Sequence, residues 1–186
     1  MRLHTERLLL RPFTEDDLGA LHSWDTDPEV VRYLRTGIAD LATSEEQLTR
    51  RIANTALPRQ EGERIHFAVQ LASEAVGTRP IGEVNLDLVS TEHSYGEIGY
   101  VFDPDHNGKG YATEAARELL RFGFDELGLH RITARCYPEN HASTAVMRRL
   151  GMREEAHYVA NEWLKGEWAD EGVWAILERE WRGRCG

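Results

Sequence analysis

Cysteine is scarce in this chain of 186 residues, which contains only Cys136 and Cys185. With no C-x-x-C pair and no cluster of Cys and His at ligand spacing, a disulfide framework is excluded and no metal site is predicted. The longest aliphatic run near the start, Leu8-Leu9-Leu10, is too short for a signal-peptide core or a membrane span. We therefore expect a reduced, cytoplasmic protein.

Basic residues are in deficit, because 22 Lys and Arg oppose 32 Asp and Glu for a net charge of −10. A negative surface argues against non-specific binding to nucleic acid or to anionic membranes. It would suit a cationic partner such as an amine or a basic peptide, although acidic totals more often serve solubility alone. No internal repeat or Pro/Ser-rich linker divides the chain, so we expect a single domain over residues 1–186.

The first part of the sequence predicts one strand followed by three helices. Residues 7–13 have the pattern of a strand. Thr14 and Asp27 are placed to cap the first two helices, and acidic residues or proline follow each of them. Ser44 begins a capping box, which predicts a third helix ending near residue 56.

The remainder predicts a three-stranded antiparallel meander followed by mixed elements. Apolar residues alternate in three runs, 65–71, 84–88 and 98–102. Further on, the pattern predicts a helix over 111–127, a strand over 132–136, a helix over 140–150 and two strands around Lys165-Gly166. The run 98–102, the helix from 111 and the strand at 132–136 form a crossover that makes two strands parallel. We therefore predict an α/β fold in the α+β sense, with a mixed, mostly antiparallel sheet.

The segment from Gly99 to Glu114 joins a strand, a glycine-containing loop and a helix start. Such a geometry presents free backbone N–H groups and a positive dipole end to an anion, and a pyrophosphate is the natural occupant. Gly108 and Gly110 allow the backbone to approach closely because they carry no Cβ. The loop does not match a Walker A motif, and taken alone it could equally be a structural turn.

Several motifs together resemble the GNAT N-acetyltransferase superfamily. The run Asn107-Gly108-Lys109-Gly110-Tyr111-Ala112 resembles its acyl-CoA pyrophosphate loop, written Q/R-x-x-G-x-G/A. The residues Asn140 and Ser143, followed by Leu150-Gly151-Met152, resemble its N-x-x-S…LGF segment. The opening residues 5–12 with Asp16-Asp17, and the closing residues 168–170 with Glu180-Trp181, resemble the RimJ/RimL branch of ribosomal-protein N-terminal alanine acetyltransferases. The resemblance spans nearly the whole chain.

The resemblance implies a sheet with helices on both faces that splays open between the strands at 98–102 and 132–136, where acetyl-CoA would lie. Its pantetheine would bond to the backbone of Tyr100, Val101 and Phe102 like an added strand. A strand bulge near Gly99 would aim those groups into the opening. The implied pyrophosphate and thioester contacts are Asn107, Gly108, Lys109, Gly110, Tyr111, Ala112, Thr113, Asn140 and Ser143.

The implied reaction moves an acetyl group directly from acetyl-CoA to a primary amine, without an acyl-enzyme and without a metal. Two positions depart from the family pattern. Asn107 stands in place of Gln or Arg, and Met147 stands where some relatives have a Tyr that acts as general acid. We therefore assign to Ser143 the role of general acid toward the leaving thiolate. The alternative is that Ser143 only caps the helix. We assign the base to Glu97, and Glu83 or a water chain remains open.

Other residues keep two interpretations each. The stripe formed by Glu83, Asn85 and Asp87 is either a solvent face or a grip for a cation. Cys136 fits an inert core position better than a nucleophile. The tryptophans of the tail either pack on the last strands or form a wall for substrate or a second copy.

The sequence does not determine which amine accepts the acetyl group. A protein N-terminus and a small amine such as a polyamine or an antibiotic compete, and residues 30–45 and 155–168 are expected to decide between them. A non-catalytic acyl-CoA sensor is the alternative function, and a homodimer is left open.

Overall fold

The structure is a computed structural model that describes residues 1–183, so Cys185 lies outside the described residues. Its strands are β1 (Leu3–His4), β2 (Leu8–Arg11), β3 (Arg64–Leu71), β4 (Gly82–Ser90), β5 (Tyr95–Phe102), β6 (Arg131–Cys136), β7 (Arg153–Leu164) and β8 (Glu167–Leu177). Its α-helices are α1 (Leu18–Thr26), α2 (Pro28–Val31), α3 (Leu41–Ala53), α4 (Tyr111–Asp125), α5 (His141–Leu150) and α6 (Glu178–Arg182). Short 3-10 helices, Glu15–Asp17 and Pro104–His106, lie before α1 and α4.

All eight strands join one sheet in the order β1-β2-β3-β4-β5-β6-β8-β7. The predicted meander is confirmed, because β3, β4 and β5 pair antiparallel. The predicted crossover is also confirmed, since α4 connects β5 to a parallel β6. The other neighbouring pairs are antiparallel. The mixed sheet with one parallel pair therefore has the predicted form.

Helices cover both faces of this sheet because the strands alternate inward and outward side chains. On one face, Phe67 and Leu86 pack with Leu119 and Phe122 of α4 in the larger core. On the other face, a smaller core under α1 and α3 gathers Phe13, Ala20, Leu21, Trp24, Leu48 and Ala68. Among residues 1–183, no helix has the length and apolarity needed to cross a bilayer.

Two predicted elements differ from the structure. The third helix begins at Leu41 rather than at Ser44, and the Asp40 carboxylate caps it by accepting the Thr43 N–H at 2.9 Å. Ser44 is fully buried, and its hydroxyl donates to Asp25 at 2.9 Å, so the capping-box prediction was wrong. After the two predicted strands the chain forms α6, a short helix that was not predicted.

The opening motif is held by a buried ion pair. Arg11 donates to both carboxylate oxygens of Asp17 at 2.7 and 2.8 Å, and to Gln70 at 2.7 Å. Both charged side chains are almost completely buried. Such bidentate pairing satisfies the planar guanidinium. Arg11 and Asp17 therefore fix the path of the chain from β2 into α1.

The sheet opens between β5 and β6. These strands pair only where Tyr95–Glu97 faces Arg131–Thr133, and beyond Glu97 they diverge as predicted. We call this opening the split. The β4–β5 register runs unbroken past Gly99, so the predicted bulge there was wrong. A Cβ at Gly99 would lie 2.7 Å from the Asn85 side-chain oxygen, and the glycine makes room for that amide instead.

Candidate active site

The split continues into a cleft of about 1470 Å³ that runs along α4 and α5. The cleft collects the predicted cofactor groups from three separate elements. They are the backbone segment 100–102 of β5, the segment 107–113 that we call the cofactor loop, and the pair Asn140 and Ser143 at the start of α5. Glu97 is the predicted site residue that does not line it.

The cofactor loop presents a row of backbone N–H groups at the start of α4. Within the described chain, none of the N–H groups from Gly108 to Thr113 donates to a protein acceptor, and the first helical bond runs from Glu114 to Gly110 at 3.0 Å. Gly108 and Gly110 have φ of 75° and 83°, a left-handed conformation that favours glycine. Glycine is therefore required at these two positions by the backbone conformation, more than by the close approach of a ligand to the backbone. The row has the form of an anion site.

A contact that the sequence reasoning missed anchors this loop. Glu114 accepts hydrogen bonds from the Thr5 hydroxyl at 2.6 Å, from Arg7 N at 2.9 Å and from Arg7 Nε at 2.7 Å. Partial burial would raise the pKa of Glu114, but these bonds outweigh it, so its pKa is lowered. Arg7 also donates to the carbonyl of Lys109 at 3.1 Å and lies over the Tyr111 ring. The Arg7 guanidinium therefore places a positive charge beside the cofactor loop, in which Asn107 itself carries none.

The ladder between β4 and β5 decides which backbone groups of β5 face the split. In an antiparallel pair, every second residue pair exchanges hydrogen bonds. Asp103 donates to Ile81, so the bonded set includes Val101 with Glu83. The N–H and C=O of Tyr100 and Phe102 consequently point away from β4, toward the split. Val101 was predicted to present its backbone there, and the ladder directs it to β4 instead.

The start of α5 brings Ser143 to the cleft. The side-chain oxygen of Asn140 accepts the Ser143 N–H at 3.0 Å, so Asn140 is the helix cap and the Ser143 hydroxyl is not. That hydroxyl lies 2.8 Å from the Tyr100 hydroxyl. Met147 is only 1% exposed and belongs to the core. Sequence reasoning had given Tyr100 a backbone role only, and its side chain was missed.

Cys136 lies across the split from β5 and lines the cleft. The side chain is half-buried, where a core position had been expected. Burial raises the pKa of its thiol to about 11, against an opposing hydrogen bond with Ser143. The group is therefore a neutral thiol at physiological pH, in line with the expectation that it is not a nucleophile.

Glu97 lies in a smaller adjoining cavity of about 240 Å³, next to the cleft. Its Oε2 atom accepts from Arg135 Nε at 2.9 Å and from the Thr133 hydroxyl at 3.3 Å. Arg135 lines both the cavity and the cleft. The assignment of Glu97 as base thus stays a prediction, with an arginine between the carboxylate and the cleft.

The polar stripe on β4 is not a solvent face at Glu83. Glu83 is 5% exposed under α3, and its two oxygens accept from Arg51 Nε at 2.5 Å and Nη2 at 2.9 Å. Burial would raise the pKa of Glu83, but the charge and hydrogen bonds of Arg51 lower it. Asp87 pairs in turn with Arg64. The solvent-face interpretation was wrong for Glu83, because its partner lies 32 residues away in the chain and covers it. Glu83 and Asn85 line the cleft, and the grip for a cation stays a prediction.

The two segments expected to face the acceptor form one wall, which consists of residues 28–40 and the β7–β8 hairpin. Arg35 Nε donates to Glu162 at 2.7 Å, and Arg35 Nη2 reaches Glu171 at 3.3 Å. Lys165 at the hairpin tip donates to the carbonyl of Val31. We call this structure the acceptor wall.

The tail tryptophans divide between the two interpretations. Trp174 and Trp181 are buried in the larger core. Trp163 and Trp168 are exposed on the hairpin, with their rings edge-to-face at 5.3 Å.

Comparison with known proteins identifies the class that this fold and cleft define. Residues 7–153 match the family model described as the acetyltransferase (GNAT) domain. Over 182 residues, the chain is 37% identical to the uncharacterized N-acetyltransferase YnaD of Bacillus subtilis, which covers 97% of this chain and 99% of that protein. The chain therefore belongs to the GNAT family, and it is an N-acetyltransferase.

Solved structures agree with this identification. A GNAT-family acetyltransferase from Bacillus anthracis matches with a TM-score of 0.85 and 35% identity, covering 97% of this chain and 100% of that one. At lower identity the fold alone is shared. Spermidine N-acetyltransferase from Vibrio cholerae, in complex with CoA and spermine, has a TM-score of 0.79 at 24% identity, covering 96% and 99%. RimL, a ribosomal L7/L12 alpha-N-protein acetyltransferase in complex with coenzyme A, has a TM-score of 0.81 at 18% identity, and the match covers 95% of this chain and 98% of that one.

Proposed function

We propose that this protein transfers the acetyl group of acetyl-CoA directly to a primary amine. The observation that carries the proposal is the row of N–H groups from Gly108 to Thr113, at one end of a cleft that begins at the split. These groups have no acceptor among residues 1–183. A pyrophosphate fits that row. An extended pantetheine fits the backbone of Tyr100 and Phe102 as an added strand fits a sheet edge.

The chemistry requires a neutral amine and stabilisation of the charge that develops on oxygen and then on sulfur. Glu97 is the proposed base, because Arg135 and Thr133 both bind Oε2, which leaves Oε1 to accept a proton through water. Glu83 suits this role less, since Arg51 holds both of its oxygens. Ser143 is proposed to donate its hydroxyl proton to the sulfur in a hydrogen bond.

Two enzymes of similar fold suggest two classes of acceptor. RimL is named for a protein α-amine, and the Vibrio cholerae enzyme for spermidine. Both acceptors present a primary amine. The acceptor wall of this chain carries charged side chains of both signs, which the backbone N–H groups of the cofactor loop do not offer. A panel must therefore include a peptide with a free N-terminus, spermidine and an aminoglycoside.

The test is release of free thiol from acetyl-CoA in the presence of each amine. We expect release to depend on one amine class, with Ser143→Ala lowering turnover by about 10–100-fold while acetyl-CoA affinity changes little. Binding of acetyl-CoA without transfer to any amine would favour the sensor alternative. Absence of acetyl-CoA binding would refute the proposal.

A further inference from the structure

The hydroxyl of Tyr100 is held between two atoms of one residue. The Tyr100 hydroxyl oxygen lies 2.8 Å from Ser143 Oγ. It also lies 3.1 Å from the Ser143 carbonyl oxygen, to which it can donate its proton. The Tyr100 ring packs against the larger core, and Asn140 fixes the turn that carries Ser143. The two hydroxyls therefore form a preset pair that spans from β5 to α5.

Each hydroxyl has one proton, so the pair has two arrangements. If Tyr100 donates to the carbonyl, Ser143 donates to Tyr100 and offers no proton to the cleft. If Tyr100 donates to Ser143 Oγ, the Ser143 proton is free for a third atom, which is the Cys136 sulfur in the protein alone and the sulfur of CoA when CoA is bound. Hydrogen bonds in such a chain strengthen one another, and an anion in the cleft favours the second arrangement.

The titratable groups around Tyr100 and Ser143 do not compete with this pair as proton donors in hydrogen bonds to the cleft. Cys136 faces Ser143 from β6, and burial keeps it a neutral thiol. Farther away, Arg148 on α5, Glu154 on β7 and Glu139 before α5 act on Cys136 with opposite signs. Burial also raises the pKa of the Tyr100 hydroxyl, which therefore stays protonated as a donor.

We propose that Tyr100 is a positioning residue that donates to Ser143 Oγ and thereby turns the Ser143 hydroxyl toward the sulfur of CoA, where it stabilises the thiolate. The inference rests on the proposed function, since it requires the thiol end of CoA to reach this part of the cleft. A hydrogen bond to an anionic sulfur is stronger than one to a thioester, so the pair acts on the departing thiolate more than on bound acetyl-CoA.

The test measures the acidity of the CoA thiol when CoA is bound, from thiolate absorbance in a pH titration. The complex with desulfo-CoA is the spectral reference, and no acceptor amine is needed. We expect the bound thiol of the parent to be more acidic than free CoA. Tyr100→Phe should lower its acid constant by about 3–10-fold, the usual range for one hydrogen bond. The Ser143→Ala variant and the double variant should give the same, larger loss, because Tyr100 acts through Ser143.

Tyr95→Phe is the matched control. It removes a hydroxyl from the same strand and breaks one hydrogen bond, the 2.9 Å contact between the Tyr95 and Thr133 hydroxyls. Neither residue lines the cleft. The thiol acidity should not change in this variant. An unchanged thiol in Tyr100→Phe, with equal weakening of CoA and desulfo-CoA binding, would show that Tyr100 only packs and would overturn the inference. Failure of the parent to bind CoA would instead refute the proposed function.

Discussion

The side of the cleft that we propose for the cofactor and the side that we propose for the acceptor are built by different means. The cofactor side uses backbone N–H groups of one continuous segment, and few side chains are involved. The acceptor side uses charged side chains that meet across the fold, such as Arg51 with Glu83 and Arg35 with Glu162, which is 127 residues away. Damage to the first side should therefore remove binding and leave the fold. Damage to the acceptor side should cost stability or acceptor recognition and leave acetyl-CoA affinity intact.

The largest expected effect is the loss of a buried charge partner on the acceptor side. Arg51→Met leaves Glu83 buried without its ion pair, which should lower the free energy of unfolding by about 3–5 kcal/mol. Adding Glu83→Gln should recover much of the loss. Urea unfolding measures both variants. Equal stability of the parent and Arg51→Met would contradict the account of this side.

A buried histidine on the same face should make stability depend on pH. Burial lowers the pKa of His66 to about 4, and its Nδ1 has no hydrogen-bond partner among the described residues. The unfolded chain takes up a proton near pH 6.5 while the folded chain does so only near pH 4, so stability falls as the pH drops through that window. Between pH 7 and 5 this residue should account for about 2 kcal/mol.

The check on His66 is a comparison with His66→Leu, which has no titrating group at this position. The variant should lose less stability than the parent over the same pH range. Parallel pH–stability curves for the two proteins would rule out a neutral buried His66.

On the cofactor side, Gly110→Glu should lower acetyl-CoA affinity by at least about 100-fold, or 2.7 kcal/mol. Its carboxylate would face the pyrophosphate, and its Cβ would lie 3.4 Å from Arg7. Gly62→Glu is the control, because Gly62 has a similar φ of 85° with open space around it. Both variants bear the same backbone strain, so thermal melts with and without acetyl-CoA isolate the binding effect. Equal ligand stabilisation of the two would contradict the loop assignment.

A smaller effect is expected at Arg7. Arg7→Leu leaves the Glu114 carboxylate uncompensated in the first turn of α4, so acetyl-CoA should bind about tenfold more weakly. S-acetylpantetheine, which lacks the pyrophosphate, should bind as it does to the parent. Calorimetry of both ligands measures the difference. Equal weakening of the two would mean that Arg7 acts on the fold and not on the anion.

The smallest effect is expected on the acceptor wall. Arg35 is mostly exposed, and exposed ion pairs contribute little to stability. Arg35→Ala should therefore leave the melting temperature and acetyl-CoA affinity unchanged while the KM for the acceptor amine shifts by about two- to fivefold. A changed acetyl-CoA affinity with a constant amine KM would break the division between the two sides.

What could be predicted from the sequence follows the same division. The crossover through α4 and the helix that begins near residue 140 were predicted, because their hydrophobic spacing and glycine boundaries lie within short segments of the sequence. The contacts of Ser44 and Glu83 depend on partners from other helices, which no local pattern encodes. Tyr100 shows the same limit, because its alternation predicted a strand but not the helix that its hydroxyl would meet.

Amide hydrogen exchange with and without acetyl-CoA tests the central claim most directly. We expect slower exchange at residues 108–113 and along 100–102 when acetyl-CoA is added, while the hairpin of β7 and β8 exchanges as before. Protection confined to the hairpin, with the cofactor loop unchanged, would contradict it.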